Sequence, residues 1–271
     1  MIKRAGKEDY KRVVEFLNHE GSMNTTLLAN IEKYGFEKDF QDIWLCTYNF
    51  EEPLAVIMRH FNILYIYNQG SFFAVEELAS FVIFTGPEII MGKLDVLSDL
   101  SIYLKDMFVE PSVHMCFVDN SKLVSCSRVI KARIEDCKQM AQLVFSIPEF
   151  GRFYNSSKEI ERGIRRRIEM GMSRYFIIKR DNVIISQAYT TIESSKYATI
   201  GGVITREEYR KQGLASLVVS KICEDILKDN KIPNLFYSNA EAGRIYVKLG
   251  FKIAGNYGML LNHKYKSKNL L

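Results

Sequence analysis

Gly201-Gly202-Val203-Ile204-Thr205-Arg206-Glu207-Glu208-Tyr209-Arg210-Lys211-Gln212-Gly213-Leu214-Ala215-Ser216 is the stretch on which the reading of this chain turns. The pattern predicts a strand ending near Thr205 and a helix beginning near Leu214, joined by a basic loop. A helix N-terminus presents unpaired backbone N–H groups and partial positive charge. Small residues such as Gly213 and Ala215 let a ligand approach that backbone closely. Strand, basic glycine loop and helix start together make an anion cradle. The first helical turn, Leu214 to Leu217, carries no carboxylate, where an ordinary surface helix favours Asp or Glu. The spacing is neither GxxxxGK[ST] nor GxGxxG, so it is not one of the common nucleotide loops. The plain alternative is a turn with solvated charges.

Downstream, Ser238-Asn239-Ala240-Glu241-Ala242-Gly243-Arg244-Ile245-Tyr246-Val247-Lys248-Leu249-Gly250-Phe251 reads as a capped amphipathic helix. Ser238 to Glu241 has capping-box spacing, or Asn239 caps directly. Ala242, Ile245, Tyr246 and Leu249 fall on one face, and Gly250 suits the position that ends the helix. On pattern alone Asn239 is a cap and Tyr246 a core aromatic.

The order of elements occurs twice. Ile2 to Lys11 can be laid over Val129 to Lys138, with Ala5 on Ala132 and Glu8-Asp9 on Glu135-Asp136. An amphipathic helix follows each time: Val13, Val14, Phe16 and Leu17, then Met140, Ala141, Leu143 and Val144. Three strands come next in each half. They are Ile43 to Tyr48, Leu54 to Arg59 and Ile63 to Tyr67 in the first, and Arg174 to Lys179, Val183 to Ile192 and Tyr197 to Ile204 in the second. Turns at Glu51-Glu52-Pro53, Phe61-Asn62, Asp181-Asn182 and Ser194-Ser195-Lys196 separate them. Helix, strand, helix and strand close each half, over 75–118 and 214–261. The expected boundary is the polar stretch Ser121 to Ser127.

The spacing Arg210-x-x-Gly213-x-Ala215 after a strand resembles the GNAT acyltransferase superfamily, whose members use (Arg/Gln)-x-x-Gly-x-(Gly/Ala) to hold the pyrophosphate of acetyl-CoA. The stretch Asn239-x-x-Ala242-x-x-x-Tyr246-x-Lys248-x-Gly250-Phe251 looks like the segment that follows in that superfamily. The resemblance implies an α+β chain of tandem GNAT-like domains, each a mixed, mostly antiparallel sheet flanked by helices. Residues 1–125 would be a degenerate domain and 126–271 a catalytic N-acetyltransferase domain. It further implies that acetyl-CoA lies in a V-shaped gap between two splayed strands and that an amine attacks its thioester directly. The backbone near Val203, Ile204 and Thr205 would polarise the thioester carbonyl. Arg210, Lys211, Gln212, Gly213, Leu214, Ala215 and Ser216 would hold the phosphates, Asn239 would contact the cofactor, and Tyr246 would be the general acid toward sulfur. The general base is not visible. The strand Ala198 to Val203 carries no carboxylate, and Glu149 and Glu193 are candidates that also read as solvated surface groups. Gly201-Gly202 makes room for a bulky acceptor or marks a β-bulge. A non-catalytic acyl-CoA-binding or regulatory module is the alternative from another class.

The first half departs from this pattern. Asn68-Gln69-Gly70-Ser71-Phe72-Phe73-Ala74-Val75-Glu76-Glu77 has no basic loop, and two carboxylates stand where phosphate would sit. This half is expected to keep the fold without the cofactor, leaving one acetyl-CoA site per chain.

Composition narrows the rest. The 271 residues exceed the ~100–150 of a common domain, and 47% hydrophobic with 25% charged residues is ordinary globular usage. The five cysteines lack CxxC spacing and read as reduced thiols. The four histidines form no metal-ligand pair, and no GxSxG elbow is present, so neither a metal nor a serine nucleophile is expected. No apolar run reaches ~18 residues, and no signal peptide follows the basic start, so a cytoplasmic protein with no membrane partner is expected. The net charge of +5 decides nothing by itself. Ile160 to Glu169 is a basic helix with an isoleucine packing stripe; its basic side reads as a solvated face, as an RNA or acidic-partner patch, or, by the resemblance, as the variable helix that borders the acceptor site. Nucleic acid is not expected as a partner. The resemblance implies a small-molecule or peptide amine as acceptor, and homodimerisation is left open. The lysine-bearing tail, with Lys264, Lys266 and Lys268, is expected to fray.

Overall fold

A computed structural model describes residues 1–47, 52–70 and 74–265. The sequence readings that touch Tyr48, Glu51, Ser71-Phe72-Phe73, Lys266 and Lys268 lie outside the described residues. The first set of elements is β1 (Ile2–Arg4), α1 (Tyr10–Asn18), α2 (Thr25–Tyr34), β2 (Gln41–Thr47), β3 (Pro53–His60), β4 (Ile63–Asn68), α3 (Val75–Thr85), β5 (Ile89–Lys93), α4 (Leu94–Ser101) and β6 (Met107–Phe117). The second is β7 (Ile130–Lys131), α5 (Cys137–Phe145), α6 (Pro148–Gly151), α7 (Ser157–Glu169), β8 (Tyr175–Arg180), β9 (Val183–Glu193), β10 (Tyr197–Thr205), α8 (Leu214–Lys228), β11 (Ile232–Tyr237), α9 (Ala240–Lys248) and β12 (Phe251–Asn262). The order matches element for element, apart from the single turn α6.

The repeat extends to individual hydrogen bonds. Asp9 accepts the Gly6 N–H at 3.0 Å, and Asp136 accepts the Arg133 N–H at 2.8 Å. Each bond closes a 3-10 turn that leads into the first helix, so the shared Glu-Asp pair is an entry cap. The Ala5 N–H donates to Ile43 at 2.8 Å, and the Ala132 N–H donates to Tyr175 at 2.9 Å. Each bond seats a short first strand on the meander.

The chain forms two compact units. One is Met1–His114 joined by the segment that begins at Ala254; the other is Met115–Ile253. A linear division near residue 125 would leave Ala254 onward with the second half. Strand pairing explains the difference. In the first unit the strand order is β1-β2-β3-β4-β5-β12, with Tyr257–Leu261 antiparallel to Ile89–Lys93. In the second it is β7-β8-β9-β10-β11, with β6 beside β11. The strand that follows the last helix of each half therefore completes the sheet of the other half.

Each unit has its own apolar core. In the first, Ile57, Leu64, Ile66, Leu78, Ile90, Leu97 and Leu100 pack with Leu260 of β12. In the second, Met140 and Val144 of α5 and Ile160 and Ile164 of α7 pack on Tyr175, Ile177, Ile184 and Ile204. The isoleucine stripe of α7 is therefore core, and Arg162, Arg166 and Arg167 are exposed.

A charged hub braces the second unit. The Arg174 guanidinium meets Glu193 at 3.0 and 3.1 Å and Asp225 at 3.0 Å, and it also pairs with Asp229; Lys231 meets Glu193 at 2.9 Å. Arg174 and Glu193 side chains are only 14% and 13% exposed. Removing one partner of such a set leaves buried charge uncompensated, at a cost of ~3–5 kcal/mol. Arg174→Ala should therefore lower the thermal midpoint of the protein by many degrees, measured by calorimetry, and Arg174→Lys should recover only part of the loss.

Candidate active site

The site of the second unit begins where two parallel strands part. β10 and β11 are paired from Tyr197↔Ile232 to Ile200↔Leu235, and no further. A buried hydrogen bond of 2.9 Å from the Thr199 hydroxyl to the Asn234 side-chain amide oxygen lies within the paired part. The pairing ends at Ile200 and Leu235, although β10 runs on to Thr205 and β11 to Tyr237. The strands thus form a V, closed at one end and open toward their C-terminal ends.

A β-bulge sits on the β10 side of this opening. The register with β9 runs Gly201↔Tyr189 and then Ile204↔Gln187, so three steps on β10 oppose two on β9. The extra residue leaves ladder N–H groups free to point elsewhere. Gly202 makes the bulge possible. Its φ is +54°, and a Cβ there would stand 1.9 Å from the ring of Tyr189. Of the two sequence readings of Gly201-Gly202, the bulge is observed.

The loop after β10 is anchored at its base by Arg206, whose N–H and guanidinium both donate to the β9 backbone, at 2.9 and 2.7 Å. A 3-10 turn over Glu207–Tyr209 follows. Lys211 has φ 62° and Gly213 φ 76°, so the backbone reverses twice before α8. A lysine in the left-handed region costs ~1–2 kcal/mol, a strain of the kind that clusters at ligand clamps. Gly213 is the N-cap of α8, and no side chain caps the helix. The first intrahelical bond is from the Leu217 N–H to Gly213 at 3.2 Å, which leaves the N–H groups of Leu214, Ala215 and Ser216 without an intrahelical partner. Arg210, Lys211 and Gln212 are exposed around this helix start.

Tyr246 lies on the β11 side. It is 6% exposed, with ring centroids 5.9 Å from Tyr237 and 6.0 Å from Phe251. Burial raises its phenol pKa to about 12. Asn239 caps α9, its side-chain oxygen accepting the Glu241 N–H at 2.8 Å. That cap occupies its oxygen and leaves the amide nitrogen toward solvent.

Of the two carboxylate candidates, Glu193 does not stand at the opening. Glu193 pairs with Ala198 in the ladder, at the closed end of the V, and its oxygens are taken by Arg174, Lys231 and Thr190. Those hydrogen bonds hold its carboxyl below the ordinary range against the opposing effect of burial. Glu149 is exposed on the single turn α6, whose Phe150 packs on the core that includes Ile204 of β10.

The first unit repeats the V and fills it. β4 and β5 are parallel from Ile63↔Ile89 to Ile66↔Gly92. Just past this point stand Tyr67 and Lys93. The Tyr67 hydroxyl donates to Glu20 at 3.0 Å, Lys93 forms an ion pair with Glu20, and the Lys93 ammonium lies 5.2 Å from the Tyr67 ring centroid. Burial and the Glu20 charge push the Tyr67 phenol strongly upward, so it stays a donor. At the matching places the second unit has Gly201 and Phe236. This lock joins residues 47 apart, and no local pattern announces it. Glu76 and Glu77 do occupy the first turn of α3, where the second unit has no acid.

Residues 174–260 match the model of the GNAT acetyltransferase family. The C-terminal region is a GNAT acetyltransferase domain. Among solved structures, a Drosophila protein aligns over 96% of this chain and 98% of its own at 11% identity, with a TM-score of 0.66. A GCN5-related N-acetyltransferase from Kribbella flavida covers 92% of this chain and 98% of its own at 14% identity, with a TM-score of 0.61. A tandem GNAT protein from the clavulanic acid biosynthesis pathway covers 96% of this chain and 97% of its own at 9% identity, with a TM-score of 0.56. At these identities the likeness is one of fold, and it extends over both units: the chain has a tandem GNAT fold. No curated protein matches the chain. Among the described residues no helix is long and apolar enough to cross a membrane, and no group of His, Cys, Asp and Glu suits a metal ion.

Proposed function

We propose that the protein is an acetyl-CoA-dependent N-acetyltransferase acting on a primary amine, with its one cofactor site in the GNAT domain. The observation that carries this reading is the open V between β10 and β11, with a bulge on one arm and a carboxylate-free helix start at its mouth. Acetyl-CoA, when bound, supplies an acetyl group activated as a thioester. The N–H groups of Leu214, Ala215 and Ser216, with Arg210 and Lys211, bind phosphate at the helix start. The free N–H groups of the bulge, near Val203 to Thr205, are aimed donors for a carbonyl oxygen and stabilise charge that develops there. The Tyr246 hydroxyl holds a proton for the departing sulfur. A small-molecule or peptide amine as acceptor, a cytoplasmic setting and a possible homodimer belong to the same proposal.

One observation favours a second reading. Glu193 is committed to its ion pairs, so it is not poised to deprotonate an amine. A non-catalytic acyl-CoA-binding module needs no base, whereas the enzyme must draw the proton off through water or receive the amine already neutral.

Calorimetric titration with acetyl-CoA tests the site that both readings share. The expected stoichiometry is one per chain, because the first unit's gap is closed by Tyr67, Lys93 and Glu20. A value near two would overturn the single-site assignment, and no binding would overturn both readings. Ser216→Glu should weaken binding by roughly tenfold or more, since it sets a negative charge at the helix start. CoA release in the presence of amines then distinguishes enzyme from module.

A further inference from the structure

The bulge has a wall on the α5–α7 face of the sheet, and its chemistry points to the class of acceptor. Successive strand residues face opposite sides, so Gln187, Tyr189 and Thr191 of β9 share this face. The Tyr189 ring lies over Gly202 and stacks on Tyr175 with centroids 5.0 Å apart and 27° between planes. A Cβ at Gly201 would stand 2.5 Å from the Thr191 methyl. Arg167, in the last turn of α7, donates to the Thr191 carbonyl at 3.5 Å, and its guanidinium adjoins the phenols of Tyr175 and Tyr189. The positive charge of this wall is therefore at the level of the glycine pair.

Gln187 adds an independent sign. It is 1% exposed, and neither atom of its amide has a hydrogen-bond partner among the described residues. It stands opposite Ile204, next to the bulge. A buried, unpaired amide group costs ~1–3 kcal/mol, and a leucine would suit the surrounding core better. A polar guest beside the bulge would satisfy it.

We propose that this wall seats the acceptor and selects an amine that also bears a carboxylate and an apolar or aromatic body, in the manner of a free α-amino acid, over a polycation. The aromatic pair covers the body of such a molecule, and Arg167 takes its carboxylate through paired N–H donors. A polyamine would instead meet the guanidinium with like charge. This inference rests on the acetyl-transfer reading above.

The test follows CoA release from acetyl-CoA with L-phenylalanine, L-phenylalaninamide and spermidine, for the full chain and for Arg167→Gln. A hydrogen-bonded charge pair gives roughly 10–100-fold discrimination. L-phenylalanine is expected to exceed both other probes in kcat/KM by that factor. Arg167→Gln should erase the gap through KM while leaving kcat and acetyl-CoA affinity in place. Gln187→Leu should keep or raise the thermal midpoint yet raise the KM for L-phenylalanine, which a purely structural amide would not do. Preference for the amide or spermidine, or survival of the acid preference in Arg167→Gln, overturns the proposal. Tight acetyl-CoA binding with no release by any probe overturns the acceptor class alone. Absence of acetyl-CoA binding overturns the acetyl-transfer reading first, and this inference with it.

Discussion

Residues 1–125, produced alone, should fail to fold. The piece contains β1 to β6 but lacks β12, whose Tyr257–Leu261 register completes the first sheet. Tyr257, Leu260 and Leu261 are 6%, 0% and 0% exposed, and Leu260 belongs to the first unit's core. Each buried side chain of this size contributes ~1.5–3 kcal/mol. Three together approach the whole ~5–15 kcal/mol stability of a domain. The edge of β5 would also be left bare and prone to non-native pairing. Residues 126–271 alone should suffer in the same way, since β6 is missing from beside β11. Circular dichroism and proton NMR spectra of the separate pieces should show no cooperative unfolding. Coexpression should restore a folded complex, because the pairing surfaces are then both present. A cooperatively unfolding 1–125 fragment with dispersed amide resonances would show that β12 is dispensable.

Tyr246→Phe should abolish most turnover and leave acetyl-CoA binding intact. A well-placed general acid typically contributes ~10²–10⁴-fold, and the substitution removes only the hydroxyl from a ring that stays packed against Tyr237 and Phe251. Single-turnover CoA release and calorimetry measure the two effects separately. Equal losses in both, or in neither, would remove Tyr246 from the acid's role. Burial sets the pH behaviour. A phenol raised from 10 to about 12 is protonated throughout the neutral range. The folded state then holds this proton more tightly than the unfolded chain. The associated stability is fully present below pH 10 and declines as the pH rises through 10 to 12. Activity should therefore show no alkaline loss from Tyr246 below about pH 11, and any fall seen earlier belongs to another group. The same burial makes the phenol a weaker acid than its reference value of ~10 suggests against a thiol near 8.5.

Much of this molecule is legible locally. The meander strands of both halves lie within one or two residues of their expected bounds, because alternation, turn residues and glycines act over a few positions. The helix start at Leu214 and the cap at Asn239 are written in the residues that form them. The repeat was visible through Glu8-Asp9 and Glu135-Asp136, which make the same hydrogen bond twice. Other features carry no local mark. Glu193 reads as a free carboxylate in sequence, but its partners Arg174 and Lys231 come from distant segments. Tyr67 reads as one more strand aromatic, and only folding brings it to Glu20 and Lys93.

The twofold repeat of elements and the helix start with no acid in its first turn are legible in the chain, since each rests on propensity and spacing within about 15 residues, and the class of fold follows from the resemblance that these segments carry. Where the final strands go is settled only in the folded chain. A strand's partner is chosen by complementary backbone edges and by the core that its inward face must fill, and neither is encoded in the strand itself. Hence β12, read as the end of the second half, closes the first sheet. For the same reason Tyr67 and Lys93 meet Glu20 just past one parallel pair of strands, while Gly201 and Phe236 hold the matching places past the other.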